Sequence, residues 1–181
     1  MDGDRKYGLS CKRKLIEYLE QEWGWGELST WQSWIYANDK RKILALYSKF
    51  HESSKYWFGI SQNYLEKWDG NSSLALLMRE GNQLYFVWLE PQQCKELFSK
   101  IASARDGSKK INLTVPCHGR PYIQKWEKPL KIFKIGTIDQ NEVSGVNPMV
   151  KFKKLSPATL EALKGKSPEE ITELLANLPA D

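Results

Sequence analysis

Apolar residues recur along the first third of the chain at the spacing of a helix. Spacings of three and four predict a helix over 10–23, which two glycines then end. A similar apolar set over 40–50 predicts a second helix, with basic residues at its start. Residues 1–9 are charged and are predicted to be loose, and 27–38 fits neither periodicity.

From residue 55 the pattern changes to that of strands. The segments 55–61, 73–79 and 83–90 are short, apolar and rich in β-formers. The turn-forming sequence Glu80-Gly81-Asn82 predicts that the last two form a hairpin. Because both hairpin strands are continuously apolar, we expect them to be central and covered on both faces.

A helix and three further strands follow the hairpin. Pro91 suits the first turn of a helix that we expect to reach residue 104. The later strand candidates are 110–115, 120–126 and 130–138. The chain is thus predicted to be α+β, with a mostly antiparallel, curled sheet or open pseudobarrel of about six strands and flanking helices.

The character of the chain shifts again after residue 152. Two Ser-Pro pairs, at 156–157 and 167–168, are typical of helix starts. We therefore expect one α+β domain over 1–152 and an acidic helical tail or connector over 153–181.

Tryptophan is the distinctive residue of this composition. The chain has eight tryptophans, more than a small core needs. Trp57 and Trp88 lie in apolar strand candidates and are predicted to be in the core. A second group lies in loops or segment ends, where an aromatic ring could stack on a base: Trp25, Trp31, Trp34 and Trp126.

Several function classes receive no support from the sequence. The three cysteines are far apart, so neither a disulfide framework nor a zinc site is expected. The predicted strands lack the acids of a metal nuclease, and the two histidines lie far apart. No phosphate-binding glycine motif occurs. We expect a binding module without catalytic residues, metal or cofactor, and, since no signal peptide or membrane span is apparent, a cytoplasmic one.

Positive charge concentrates in residues 109–134, although the net charge of the chain is only +5. Basic residues alternate there with aromatic ones, and on a strand this alternation separates the two sets onto opposite faces. A basic stripe beside aromatic rings suits phosphate contact and base stacking. The alternative is the solvated outer face of an ordinary sheet. The candidate nucleic-acid-binding residues are Lys109, Lys110, His118, Arg120, Tyr122, Lys125, Trp126 and Lys128, with Trp31, Trp34 and Arg41 from the earlier segment.

The segments KYWFGISQNYLEKW, SLALLMREGNQLYFVWLEPQQCKELFSKI and KKINLTV…RPYIQKW carry a resemblance to a known group. Together they cover roughly 55–126 and resemble the N-terminal specificity domains of prokaryotic restriction systems, which precede HNH nucleases or McrBC-type and LlaJI-type motors. That group is similar to the pseudobarrel DNA-binding domains of plant transcription factors and restriction enzymes.

The resemblance implies an open pseudobarrel that enters the major groove of duplex DNA with two arms. On this chain the arms would be 31–42 and 109–128. It also implies a motor or nuclease domain or subunit as partner, and duplex DNA, methylated or unmethylated, as ligand. A related idea is a domain that flips a methylated base into an aromatic cage.

Two other function classes stay open at the level of sequence. A protein-interaction scaffold would use the tryptophans as an apolar interface. A single-stranded RNA-binding domain would stack bases on them.

Overall fold

The computed structural model describes residues 2–37, 41–49 and 54–138. The chain divides into two units, Met1–Ser144 and Gly145–Asp181. The predicted tail, 153–181, and its boundary lie outside the described residues. The described elements are α1 Asp2–Glu22, β1 Leu28–Trp31, β2 Trp34–Ala37, β3 Arg41–Lys49, β4 Lys55–Ile60, α2 Gln62–Glu66, β5 Ser72–Glu80, β6 Gln83–Leu89, α3 Pro91–Lys100, β7 Lys109–Thr114, β8 Tyr122–Ile123 and β9 Ile132–Thr137.

The strands form two sheets. The large sheet has the order β1-β2-β3-β5-β6-β9, and the small sheet has the order β4-β7-β8. All pairs are antiparallel except β3 with β5. The predicted α+β class, with a sheet of about six strands and flanking helices, is confirmed. Over the described residues the strands belong to two sheets rather than one, and neither sheet closes into a barrel.

The large sheet is buried on both faces. On β5, Leu74 and Leu76 pack into one core with side chains of the small sheet and α3. The alternate residues Ala75 and Leu77 pack into a second core with Leu15 of α1. This two-sided burial confirms the prediction that the β5–β6 hairpin is central. The small sheet and α3 therefore share one side of the large sheet, and α1 covers the other.

The prediction of a helix over 40–50 is wrong, because the described residues of this segment, 41–49, form the strand β3. It runs parallel to β5 from Lys42 opposite Ser72 to Lys49 opposite Arg79. Its apolar residues enter the two cores alternately. A short apolar run suits a strand with two covered faces as well as a buried helix, and pairing with β5 decides between them.

The first nine residues are not loose as predicted, since α1 begins at Asp2. Tyr7 packs against the core beneath α1, and the guanidinium carbon of Arg79 lies 4.0 Å from the centre of its ring. Gly8 lies directly over β3, where an added Cβ would be 3.5 Å from Cδ1 of Tyr47. These contacts with the large sheet stabilise this turn of α1, whose composition alone does not predict a helix.

Three element boundaries also differ from the sequence-based expectation. The ambiguous segment 27–38 contains the hairpin β1–β2, whose turn places Gln32 at a φ of 55°. Helix α3 ends at Lys100 rather than near residue 104. The strand predicted over 120–126 is reduced to the two residues of β8.

The tryptophans do not divide between core and surface as predicted. Trp57 is 56% exposed, whereas Trp34 and Trp126 are 0% and 3% exposed and belong to the core between the sheets. Trp88 and Trp25 are half-buried and lie against Trp23, with ring centres 5.1–5.4 Å apart. This cluster packs the end of α1 onto the large sheet.

Candidate nucleic-acid interface

The small sheet buries one face and exposes the other. On β4 exposed and buried residues alternate without interruption, and Tyr56, Phe58 and Ile60 point into the core between the sheets. Lys55, Trp57 and Gly59 must then point outward, because successive side chains on a strand alternate between faces. The backbone of Trp57 is fixed by its N–H, which donates to Ser48 Oγ at 3.0 Å.

The other two strands of the small sheet follow the same rule. Ile111 and Leu113 of β7 and Ile123 of β8 are buried in the core. Their neighbours along the chain therefore face outward. We call the resulting surface the open face; its residues are Lys55, Trp57, Gly59, Lys110, Asn112, Thr114, Tyr122 and Gln124.

The register arranges the open face in rows across the strands. Trp57 is opposite Asn112, whose carbonyl accepts the backbone N–H of Gln124 at 2.9 Å. Thr114 has Lys55 on one side and Tyr122 on the other. With strands about 4.8 Å apart and alternate residues about 6.7 Å apart, the Cα atoms of Trp57 and Tyr122 are separated by about 12 Å.

A hollow lies between these two aromatic residues. Its volume is about 590 Å³, and the open-face residues line it together with Phe58. Gly59 keeps one side of it clear: a Cβ added there would meet no atom within 4 Å in the described part of the chain. Glycine inside a strand commonly marks a place where a ligand or another backbone comes close. The open face thus has both exposed rings and room beside them.

The charge of the open face is positive. Its eight residues include Lys55 and Lys110 and no carboxylate. The nearby Asp106 accepts hydrogen bonds from the hydroxyl and backbone N–H of Ser108, at 2.6 and 3.0 Å. These bonds, with a smaller contribution from Lys110, lower the pKa of Asp106. Asp106 is not part of the open face. Because the open face has two lysines and no carboxylate, it is suited to an anionic ligand.

A basic loop continues the open face. Residues 120–129 line a second hollow of about 470 Å³, and Tyr122 and Gln124 border both hollows. Lys125 occupies the third position of a turn closed by the Trp126 N–H, which donates to the Ile123 carbonyl at 3.0 Å. Its φ is 69°, a left-handed conformation that costs a non-glycine residue about 1–2 kcal/mol. An exposed lysine is held at the tip of this turn despite that cost.

Most of the site residues predicted in the segment 109–128 line one of these two hollows. Lys110 and Tyr122 are on the open face, and Arg120, Lys125 and Lys128 border the second hollow. The Nζ atom of Lys128 lies 3.5 Å from Glu96 Oε2, an exposed ion pair. Trp126 also borders this hollow, but its indole is buried in the core. His118 is exposed in the preceding loop.

The remaining predicted residues point elsewhere. Lys109 donates to the Ile101 carbonyl at 2.6 Å, at the end of α3. Trp34 is buried, and the Arg41 guanidinium carbon lies 5.1 Å from the ring centre of Trp25, on the α1 side of the large sheet. The side chain of Trp31 lies outside the described residues. The two predicted arms share the core between the sheets, where Trp34 and Trp126 are both buried, but Trp34 and Arg41 do not lie on the open face.

Sequence reasoning missed six residues of the open face: Lys55, Trp57, Gly59, Asn112, Thr114 and Gln124. The signal was the alternation in KYWFGI and KINLT, which predicts two faces. Only the register of β4 against β7 shows that their outward faces form one surface.

The comparisons with known proteins identify no relative. No family model, curated protein or solved structure matches this chain. Within the described ranges no group of three or more His, Cys, Asp or Glu residues is placed to hold a metal ion. Likewise, the described helices include none that is long and apolar enough to span a bilayer.

Proposed function

We propose that this protein is a DNA-binding specificity module and that it contacts nucleic acid through the open face and the basic loop. One observation carries the proposal. Among the described residues three large apolar side chains are exposed, and two of them, Trp57 and Tyr122, lie on the same face of the small sheet, beside Lys55 and Lys110. The third, Leu9, is on α1.

Each component of this surface matches one part of a nucleic acid. Lysine and arginine side chains neutralise phosphates and release their counterions. Exposed aromatic rings stack on bases, which is worth about 1–3 kcal/mol per base. Side-chain amides hydrogen bond to base edges. A merely solvated sheet face would not need two large rings in water, because exposing apolar area costs about 25 cal/mol per Å².

The choice of DNA, and of a restriction or defence system as the setting, is supported by the sequence resemblance. The resembling segment, 55–126, contains all three strands of the small sheet. In this proposal a motor or nuclease, in another domain or subunit, acts where the module binds. The module itself supplies recognition of a specific or modified site.

The test is binding of labelled DNA at several salt concentrations. Phosphate contacts by Lys55, Lys110, Arg120 and Lys125 predict that log affinity falls with log salt with a slope of about −3. Replacing Lys55 and Lys110 with alanine should weaken binding of every sequence and make the slope less steep by about 1.5. The matched control replaces Lys95 and Lys134, which are exposed outside both hollows, and removes the same charge.

Two results would contradict the proposal. The first is the absence of binding at low salt to any duplex or single strand, methylated or unmethylated. The second is equal loss of affinity in the Lys95 and Lys134 control, which would show that only net charge matters. Tighter binding of RNA than of DNA of the same sequence would assign the surface to the RNA-binding alternative. A salt-independent protein partner would favour the scaffold alternative.

A further inference from the structure

Two side-chain amides occupy the middle of the open face. Asn112 lies on the central strand β7, between Trp57 on one side and Gln124 on the other. Its Nδ2 donates a hydrogen bond to Gln124 Oε1 at 2.8 Å. This bond links the two side chains and orients both, and it does so at the surface, where each amide could otherwise be satisfied by water.

The bond leaves hydrogen-bonding capacity on both amides. Asn112 keeps its Oδ1 acceptor and one N–H donor, and Gln124 keeps two N–H donors and one lone pair. Each amide can therefore donate and accept at the same time. Adenine presents a matching edge, with the N6 amino donor beside the N7 acceptor, and asparagine or glutamine pairs with it through two hydrogen bonds.

The flanking rings indicate the state of the base. Trp57, which is 56% exposed, lies next to Asn112, and Tyr122, which is 49% exposed, lies two residues from Gln124 on the same edge of the sheet. A base within an intact duplex is covered on both faces by its neighbours, so it cannot stack on a protein ring. An unstacked base can be stacked on an aromatic side chain and read along its edge at the same time. The cleared space at Gly59 gives such a base room beside Trp57.

We propose that the open face binds unpaired adenine in DNA: an adenine base stacks on Trp57 or Tyr122, and Asn112 and Gln124 hydrogen bond to its edge. This inference rests on the proposed function, since it names the ligand of the same surface. The unpaired base can come from a single strand or from a duplex in which one adenine has left the stack. The chemistry of recognition is the same for both sources.

The experiment compares homopolymers of deoxyadenosine, thymidine and deoxycytidine of about twelve nucleotides, a length within the ~4–16 nucleotides that single-strand-binding domains cover. Fluorescence anisotropy at fixed low salt should show that the adenine polymer binds about 5- to 150-fold more tightly than the others. The variant Asn112→Leu with Gln124→Met keeps similar side-chain shapes and removes the amides. It should lose this preference, so that the adenine polymer binds no more tightly than the thymidine polymer.

A second set of probes distinguishes the sources of the base. It consists of a fully paired duplex, the same duplex with one bulged adenine, and the same duplex with one bulged thymine. The bulged adenine should bind more tightly than the bulged thymine, and the amide-free variant should not distinguish them. Tighter binding of the single strand than of the bulge assigns the natural ligand to single strands, and the reverse assigns it to extruded bases.

The outcomes separate this inference from the proposed function. Equal binding of all homopolymers, or an adenine preference that persists in the amide-free variant, overturns the inference and leaves DNA binding intact. The same holds if the fully paired duplex binds as tightly as the bulged one. If no probe binds, both the inference and the proposed function fail. Because both amides lie at the surface, thermal unfolding of the variant should match that of the unaltered protein.

Discussion

Gly59→Val tests whether the hollow of the open face is used. Gly59 is the next-to-last residue of β4, and in the described part of the chain an added Cβ meets nothing within 4 Å. Its φ is not in the left-handed region, so a branched side chain fits the backbone. Valine also favours strands, whereas glycine inside a strand costs roughly 0.5–1 kcal/mol. The variant should therefore be as stable as the unaltered protein, or more stable by about that amount.

The effect on binding should have the opposite sign. The valine side chain points into the hollow, next to Trp57 on the same strand and Lys110 on the next. Displacing one stacked base costs about 1–3 kcal/mol, which corresponds to about 5- to 150-fold in the dissociation constant. A gain in stability of 1 kcal/mol would raise Tm by roughly 2–4 °C in a protein of this size.

The assay pairs thermal unfolding with anisotropy of a labelled single strand. Gly70→Val is the matched control, because Gly70 also has open space around an added Cβ and no left-handed φ but lies outside both hollows. We expect normal binding in the control and weakened binding in Gly59→Val. If Gly59→Val unfolds normally and binds as tightly as the control, the close approach of a ligand at Gly59 is refuted.

Three further predictions concern other parts of the molecule. Lys125→Gly should stabilise the fold by about 0.5–1 kcal/mol, since glycine relieves the left-handed backbone, and should make the salt slope of binding less steep by about 0.8; a loss of stability in denaturant unfolding would contradict the turn geometry. Trp34→Ala should cost about 3–5 kcal/mol in chemical unfolding because the indole is fully buried, and a cost below 1 kcal/mol would place it at the surface. Burial raises the pKa of the Cys11 and Cys94 thiols to about 12, so a thiol reagent at pH 8 should modify only Cys117 until the protein unfolds. The same shifts contribute stability that is lost as pH rises from about 9 to about 12, because the unfolded chain releases these protons first.

The sequence predicted correctly those elements in which the spacing of apolar residues along the segment itself decides which side chains are buried. The β5–β6 hairpin has a turn glycine at a φ of 57° between two continuously apolar strands, and both features are visible in the sequence. Helix α3 has an apolar stripe after Pro91, on which Cys94 and Leu97 are buried. In these cases the spacing of apolar residues carries the structural information.

The errors arise where a distant segment decides the structure. The segment 41–49 has residues suited to a helix, and only its parallel pairing with β5, thirty residues later in register, makes it a strand. The same is true of the early part of α1, where Arg79 contacts Tyr7 and Tyr47 lies against Gly8. Such contacts are absent from any local window of sequence.

The sequence predicted only part of the candidate site, because the rest also depends on contacts between distant segments. The concentration of charge in 109–134 pointed to Lys110, Arg120 and Lys125, which do border the two hollows. Composition could not show which tryptophans are exposed. Trp57 lies in an apolar strand and faces out, whereas Trp126 lies in a polar loop and is buried, because each strand's register and each turn's geometry set the direction of the side chain.

The most direct test of the central claim is to map the DNA-binding surface by NMR. Backbone amide signals of the labelled protein are followed while a short adenine-containing single strand is added. The account predicts that the shifted signals concentrate in β4, β7 and 120–128, and that the indole N–H signal of Trp57 shifts while that of Trp34 does not. Shifts concentrated on α1 or around Trp25 and Arg41, with the small sheet unchanged, would contradict it.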